Sequence, residues 1–181
     1  MKRLCFSPFP TLETHRLILR QLESNDAEAI FAYQSNKENF PYVDMPIYTN
    51  IAEAKTYIEK MNTGIKDKKW VIWAIADNKT NSILGTISIW NISNDLETAD
   101  LGYGLFPGNV GRGIMSEALV KVLDYGFNEI GLNTIEACTN TLNQKSIYLL
   151  KRNHFNYSSS FTEPASNGGT IKMDVYSITK R

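Results

Sequence analysis

Between a strand-like run ending at Leu105 and a helical pattern beginning at Ile114 lies Phe106-Pro107-Gly108-Asn109-Val110-Gly111-Arg112-Gly113. Of all segments this order of strand, glycine loop and helix constrains the chain most. Glycines let successive backbone N–H groups turn toward one point, and the following helix adds unsatisfied amides and the positive end of its dipole. Such a loop holds a phosphate without side-chain charge, and a pyrophosphate is its natural guest; taken alone, an ordinary glycine turn is the other reading. Ile114-Met115 stands where a nucleotide-hydrolysing P-loop has its Lys-Ser/Thr pair, which argues against that chemistry. The spacing also misses G-x-G-x-x-G and follows a hairpin-rich start, which disfavours a dinucleotide-binding fold. Gly102 and Gly104 lie inside the preceding strand, where glycine weakens a sheet unless a bulge or a close ligand needs the space. A cofactor lying along that strand accounts for them.

The elements around the loop follow from periodicity. Residues 14–22 place Leu17 and Leu19 on one side and Arg16 and Arg20 on the other, the period of a half-buried strand. Ser24 offers an N-cap, with Asp26 and Glu28 favourable in the first turn of a helix carrying Ala27, Ile30 and Phe31. Asn50 caps a second helix with Glu53 at its third position, and Ala54, Tyr57, Ile58 and Met61 form its apolar stripe. Trp70 to Ala76 and Ile83 to Trp90 read as an antiparallel hairpin, followed by a strand at about 97–106. A helix runs from Ile114 to about Glu129, where Gly131 is placed to end it. A strand at 134–139, a helix from Asn143 to about Arg152 and a terminal hairpin around Asn167-Gly168-Gly169 complete the order βααβββαβαββ. Three consecutive strands, then strand-helix-strand, then a hairpin imply an α/β (α+β) domain with a mixed sheet and helices on both faces.

With 181 residues and no repeat or linker, residues 1–181 form one domain. Nineteen basic and nineteen acidic residues cancel, so nothing global advertises nucleic acid or an anionic membrane. Cys5 and Cys138 are far apart and form no CxxC pair, which argues against a disulfide scaffold and a zinc site and fits a reducing cytoplasm. Only His15 and His154 occur, so a histidine-rich metal centre is excluded. The opening residues 1–8 lack the apolar run of a signal sequence, and no stretch approaches the ~18 apolar residues of a membrane span. The expectation is a soluble protein without metal.

Four segments carry a resemblance. Thr14-His-Arg-Leu-Ile-Leu-Arg20, Ala99-Asp-Leu-Gly-Tyr-Gly-Leu105, Gly111-Arg-Gly-Ile-Met-Ser-Glu-Ala-Leu119 and Asn143-Gln-Lys-Ser-Ile-Tyr-Leu-Leu-Lys-Arg-Asn-His-Phe155 resemble, in order and spacing, the GNAT superfamily of acetyl-CoA-dependent N-acetyltransferases. They are most similar to its branch of ribosomal-protein N-terminal acetyltransferases, the RimJ/RimL type. The resemblance implies a largely antiparallel seven-stranded sheet and acetyl-CoA as donor. It places the CoA pyrophosphate on backbone amides of Gly111, Arg112, Gly113 and Ile114, the pantetheine arm on the strand edge at Leu105 and Phe106, and Asn143 at the pantetheine or thioester. Two positions depart: Gly108 stands where the superfamily loop begins with Gln or Arg, and Leu150 where many members have a tyrosine that protonates the leaving thiolate. In the RimL-like branch a serine is the proposed proton donor, and Ser146 matches it; a hydrogen bond to a carbonyl of its own helix is the alternative.

N-acetylation needs a neutral amine, a polarised thioester carbonyl and a means of protonating the leaving thiolate. Glu163, similar in placement to that branch's glutamate, and Asp100 are the candidate bases, each with a solvated surface role as the alternative. Backbone amides near Leu105 suit the developing oxyanion. Cys138, in an apolar run, is expected to be buried packing, not an acetyl carrier. Direct attack in a ternary complex on acetyl-CoA follows. The acceptor is expected to be the α-amino group of a protein, possibly ribosomal, with a polyamine, amino acid or antibiotic amine second and a non-catalytic acyl-CoA sensor third. Acceptor choice should lie in residues 36–50 and the last hairpin, where Phe40, Tyr42 and Tyr48 either line a groove or pack the loop on the core. Many members of the superfamily dimerise, so a homodimer is within the expectation.

Overall fold

The structure, a computed structural model, describes residues 4–180; residues 1–3, part of the opening segment read for a signal sequence, and residue 181 lie outside the described residues. Its strands are β1 (Leu12–Glu13), β2 (Leu17–Arg20), β3 (Val71–Asp77), β4 (Ile83–Trp90), β5 (Thr98–Leu105), β6 (Thr134–Asn140), β7 (Asn156–Pro164) and β8 (Thr170–Thr179). Its helices are α1 (Ala27–Gln34), α2 (Ile51–Lys66), α3 (Ile114–Asp124) and α4 (Gln144–Arg152). One sheet in the order β1-β2-β3-β4-β5-β6-β8-β7 contains a single parallel pair, β5 with β6. The sheet has eight strands where seven were expected: the additional one, β1, is two residues long and pairs with β2 through Leu12↔Leu19 and Glu13↔Ile18.

Alternation along the strands divides the side chains between two helical layers. Ile72, Thr86 and Ser88 face α1 and α2, whereas Ile87, Ile89 and Ile135, all fully buried, face α3 and its continuation. That continuation is a π-helical segment, Tyr125–Ile130, ending at Gly131 with a φ of 93°. A Cβ at Gly126 would stand 2.8 Å from Ile135 Cδ1, so glycine lets this turn lie against the sheet. The Asn50–Glu53 capping box forms as expected and starts α2.

The entry to α1 differs from the expectation. Ser24 makes no cap; Glu23 and Asp26 form a capping box around a short turn at Ser24–Asp26, and α1 begins at Ala27. Arg20, assigned by alternation to the solvent side, is 7% exposed and meets Asp26, 4% exposed, through two bonds of 2.9 Å each. A bidentate partner satisfies the guanidinium, which is what permits its burial.

Candidate active site

Gly108, Gly111 and Gly113 have φ values of 84°, 82° and 73°, the left-handed region that favours glycine. Gly113 is the N-cap of α3 and brings no side chain to the helix's first amides, while a Cβ at Gly108 or Gly111 would meet nothing within 4 Å. Open glycines in front of uncapped amides are a cradle that fits a pyrophosphate. Gly111, Arg112, Gly113 and Ile114 all lie in it.

Arg16 holds this loop from behind. Its Nη1 donates to the Arg112 carbonyl at 2.9 Å and its Nε to Glu117 Oε2 at 2.7 Å, while Glu117 Oε1 accepts from the Arg16 N–H at 2.9 Å and from Thr14 Oγ1 at 2.5 Å. Burial opposes the Glu117 charge, but the bonds from Thr14 and Arg16 outweigh it and hold the carboxyl below its usual range. The strand read only as an opening motif is thus tied to the first turn of α3.

Beside the loop the sheet opens. β5 and β6 pair only through Thr98↔Thr134, Ala99↔Ile135 and Asp100↔Glu136, so the edge of β5 from Leu101 onward has lost its neighbour. The Phe106 N–H donates to the Leu84 carbonyl at 2.8 Å, and alternation of the antiparallel ladder then turns the backbone groups of Leu101, Tyr103 and Leu105 into the gap. Leu105 therefore offers the free edge expected of it. Phe106 does not: its N–H is spent on β4, its carbonyl accepts from Asn109, and its buried ring stacks on Tyr33 at 4.8 Å.

α4 enters the same gap from the α3 side. Asn143 is its N-cap, its Oδ1 accepting from the Ser146 N–H at 3.1 Å, which leaves the amide Nδ2 as the group to reach a ligand. Ser146 Oγ lies 2.7 Å from the Tyr103 hydroxyl, so the partner of this side chain is a phenol on β5. Burial pushes Tyr103 up to about 12, the Ser146 bond pulling weakly the other way. Tyr148 points to solvent at 67% exposure and Leu150 is fully buried, so neither stands in for the missing tyrosine of α4. Tyr103 was missed in the sequence, where it appears only as one aromatic between Gly102 and Gly104.

The candidate carboxylates gather on the other face. Asp100 sits at the apex of the gap, where its Oδ2 accepts from Asn91 Nδ2 at 3.0 Å. Glu163 is exposed on β7, opposite Ile171. Both carboxylates bear on Cys138, which is exposed, not buried as its apolar run implied, because alternation along β6 buries Ala137 and Thr139 and turns Cys138 to the opposite side. The sheet still desolvates this thiol, and the charges of Asp100, Glu136 and Glu163 add to that, so its pKa rises. A thiol held protonated is a poor acetyl carrier.

On that same face a cavity of about 690 Å³ lies between α1, residues 40–48, α2 and the sheet. Its floor is Thr86, Ser88, Gly102 and Gly104 and its walls include Tyr33, Phe40, Tyr48 and Tyr57. The strand glycines have a different cause from the one expected: a Cβ at Gly104 would be 3.2 Å from the Tyr33 hydroxyl and one at Gly102 2.9 Å from Ser88 Oγ, so they admit side chains of this face. Phe40 and Tyr48 line the cavity, whereas Tyr42 contributes its carbonyl as acceptor for Asn140 Nδ2. Among the described residues no group of His, Cys, Asp or Glu is placed to hold a metal ion, and no helix is long and apolar enough to cross a membrane.

A parallel pair that splays open beside a glycine-loop helix N-terminus, with a hydroxyl on one face and a cavity on the other, defines an acyl-CoA-dependent transferase. The chain matches the model of the acetyltransferase (GNAT) domain over residues 16–156. It is 35% identical over 173 residues to the uncharacterized N-acetyltransferase YoaA of Bacillus subtilis (strain 168), covering 95% of this chain and 98% of that one. Its fold is also that of RimL, a ribosomal L7/L12 α-N-protein acetyltransferase in complex with coenzyme A (TM-score 0.84, 20% identity, 94% and 98% of the two chains). A spermidine N-acetyltransferase from Vibrio cholerae gives a TM-score of 0.79 at 22% identity, over 92% and 96%. The chain belongs to the GNAT acetyltransferase family and is an acetyl-CoA-dependent N-acetyltransferase.

Proposed function

We propose that residues 1–181 form one acetyltransferase domain that acetylates the N-terminal α-amino group of a protein by direct attack in a ternary complex. The observation that carries this reading is the free edge of β5, reached from the α4 face by Ser146 and from the α1/α2 face by the cavity, so that donor and acceptor approach one strand from opposite sides. When bound, acetyl-CoA supplies an activated acetyl group, whose C–S bond is exchanged for a C–N bond with the amine. The amides of Gly111, Arg112, Gly113 and Ile114 hold its pyrophosphate, the edge groups of Leu105 and Tyr103 its pantetheine, and Asn143 Nδ2 the thioester end. Asp100 or Glu163 takes the proton that leaves the amine nitrogen, directly or through water. Ser146, supported by Tyr103, hydrogen-bonds the leaving sulfur until it takes up a proton, so no proton is gained or lost overall. The fold shared with RimL supports a protein acceptor, and the fold shared with the spermidine enzyme names the competing class.

The test is thiol release from acetyl-CoA across N-terminal peptides, polyamines and aminoglycosides, with Ser146→Ala and Glu163→Gln beside the parent. Turnover confined to peptides is expected. Turnover confined to a small amine overturns the acceptor, and coenzyme A binding without turnover of any amine overturns the enzyme reading in favour of a sensor.

A further inference from the structure

The walls of the acceptor cavity are almost without charge. Lys60 and Glu53 are its ionisable cation and anion, and Glu53 Oε2 is already spent accepting from the Thr49 and Asn50 N–H groups at 2.7 and 3.0 Å. Asp100, Glu136 and Glu163, carboxylates of this face, lie outside the lining. The tyrosines of the wall stay neutral, burial having pushed Tyr57 up to about 12 and raised Tyr33 and Tyr48.

The rim carries a second, independent observation. Residues 42–48 are pinned at four points: the Tyr42 carbonyl accepts from Asn140, Asp44 Oδ2 from the Ser166 N–H at 2.7 Å, the Pro46 carbonyl from Gln34 Nε2 at 2.8 Å, and the Tyr48 N–H donates to the Gln34 carbonyl at 3.2 Å. Between these anchors Val43 and Met45 remain 43% and 44% exposed while lining the cavity. A loop held that firmly has no freedom to fold those side chains away, so their apolar surface stays in water unless a guest covers it.

Resting on the protein N-terminal reading above, we infer that this cavity takes the first side chain of the acceptor and selects a bulky, uncharged apolar residue next to the α-amine. The volume lies within the ~300–1,000 Å³ of ordinary ligand sites and exceeds what one side chain fills, so a Leu, Met or Phe enters with backbone beside it. A cationic first residue or a polyamine would be stripped of water against Tyr33, Tyr57, Phe40, Val43 and Met45 with one half-engaged carboxylate in return, and an acidic one with the single ammonium of the exposed Lys60. Discrimination of at least ~10-fold follows from the usual worth of an apolar contact in a specificity pocket.

The experiment measures binding to the whole protein by calorimetry, and acetylation by mass spectrometry, for peptides differing only in a first Leu, Phe, Lys or Glu, and for spermidine. Val43→Asp and Met45→Asp, exposed and so tolerant of charge, are compared with Val120→Asp on the distant solvent side of α3, where Val120 is 60% exposed. Leu- and Phe-first peptides should bind at least ~10-fold tighter than the others, the rim variants should lose that preference, and Val120→Asp should keep it. Equal binding of all peptides, absence of binding, preference for a charged ligand, or an intact preference in both rim variants overturns the inference. Binding with the expected preference but without acetylation supports the pocket and overturns only the proposed acceptor chemistry.

Discussion

Replacing Ser146 by Ala should lower kcat by roughly 10- to 150-fold and leave the KM for acetyl-CoA near its parental value. The range follows from the pair Ser146 makes with Tyr103. With the phenol at about 12 and an ordinary thiol near ~8.5, net transfer of a proton from the pair to the leaving sulfur is uphill by ~3.5 pK units, or ~4.8 kcal/mol. In the proposed mechanism the pair therefore acts as a hydrogen-bond donor to developing negative charge and not as a proton reservoir. A bond to a charged acceptor is worth about 1.5–3 kcal/mol, which converts to the stated range in kcat. Tyr103→Phe removes only the partner of Ser146, a neutral bond worth about 0.5–1.5 kcal/mol, and should cost roughly 2- to 10-fold. Because the two hydroxyls act in one chain, the double variant should be little worse than Ser146→Ala alone. Steady-state kinetics from pH 6 to 10 with a peptide acceptor checks all three variants. Unchanged kcat in Ser146→Ala, or an alkaline limb in the parent that vanishes with Ser146, refutes the reasoning, since a group held near 12 has no titration to show in that range.

Arg16→Ala unties the Arg112 carbonyl and Glu117 from the residue that leads into β2, and should raise the Kd for coenzyme A about 3- to 70-fold with kcat nearly unchanged, the worth of one hydrogen bond plus a part-exposed ion pair; calorimetry reads it directly. Asp26→Ala strands the Arg20 guanidinium in the core and should cost about 3–5 kcal/mol, a fall in Tm of roughly 6–20 °C by scanning calorimetry for a chain of this size. Tyr57 and Tyr103 have folded values near 12 against ordinary values of 10.0, so the native state holds their protons longer than the unfolded chain does. Stability in urea should accordingly be flat in these groups below pH 10 and fall between about pH 10 and 12, by at most ~2.7 kcal/mol per phenol, with native tyrosinate absorbance lagging over the same window.

The elements legible in the sequence were those with a local cause. The capping box at Asn50 and Glu53, the left-handed Gly131 and the turn at Gly168 each depend on residues within one or two turns, and each occurs where the pattern put it. β1 was illegible because two residues carry no period; only its pairing with Leu19 and Ile18 makes it a strand. Arg20 was misread for the same reason, since alternation sees the side of a strand but not the Asp26 carboxylate brought to it by the turn at Ser24–Asp26.

The candidate site divides along the same line. The loop we propose as the phosphate cradle could be read because its three glycines and helix start are contiguous, and backbone amides need no distant partner. The acceptor side could not, because Tyr33 of α1, Tyr57 of α2 and Gly104 of β5 are far apart in sequence and meet only once α1 and α2 lie on the sheet. Gly104 shows how a correct inference acquires a wrong cause: the glycine did mark a close approach, yet what approaches is the Tyr33 hydroxyl. That substitution of a protein side chain for a ligand moves the specificity question off the cofactor strand. It falls on the segment between α1 and α2, where four hydrogen bonds hold an apolar rim open toward β5, the strand on which we propose that the acetyl group is transferred.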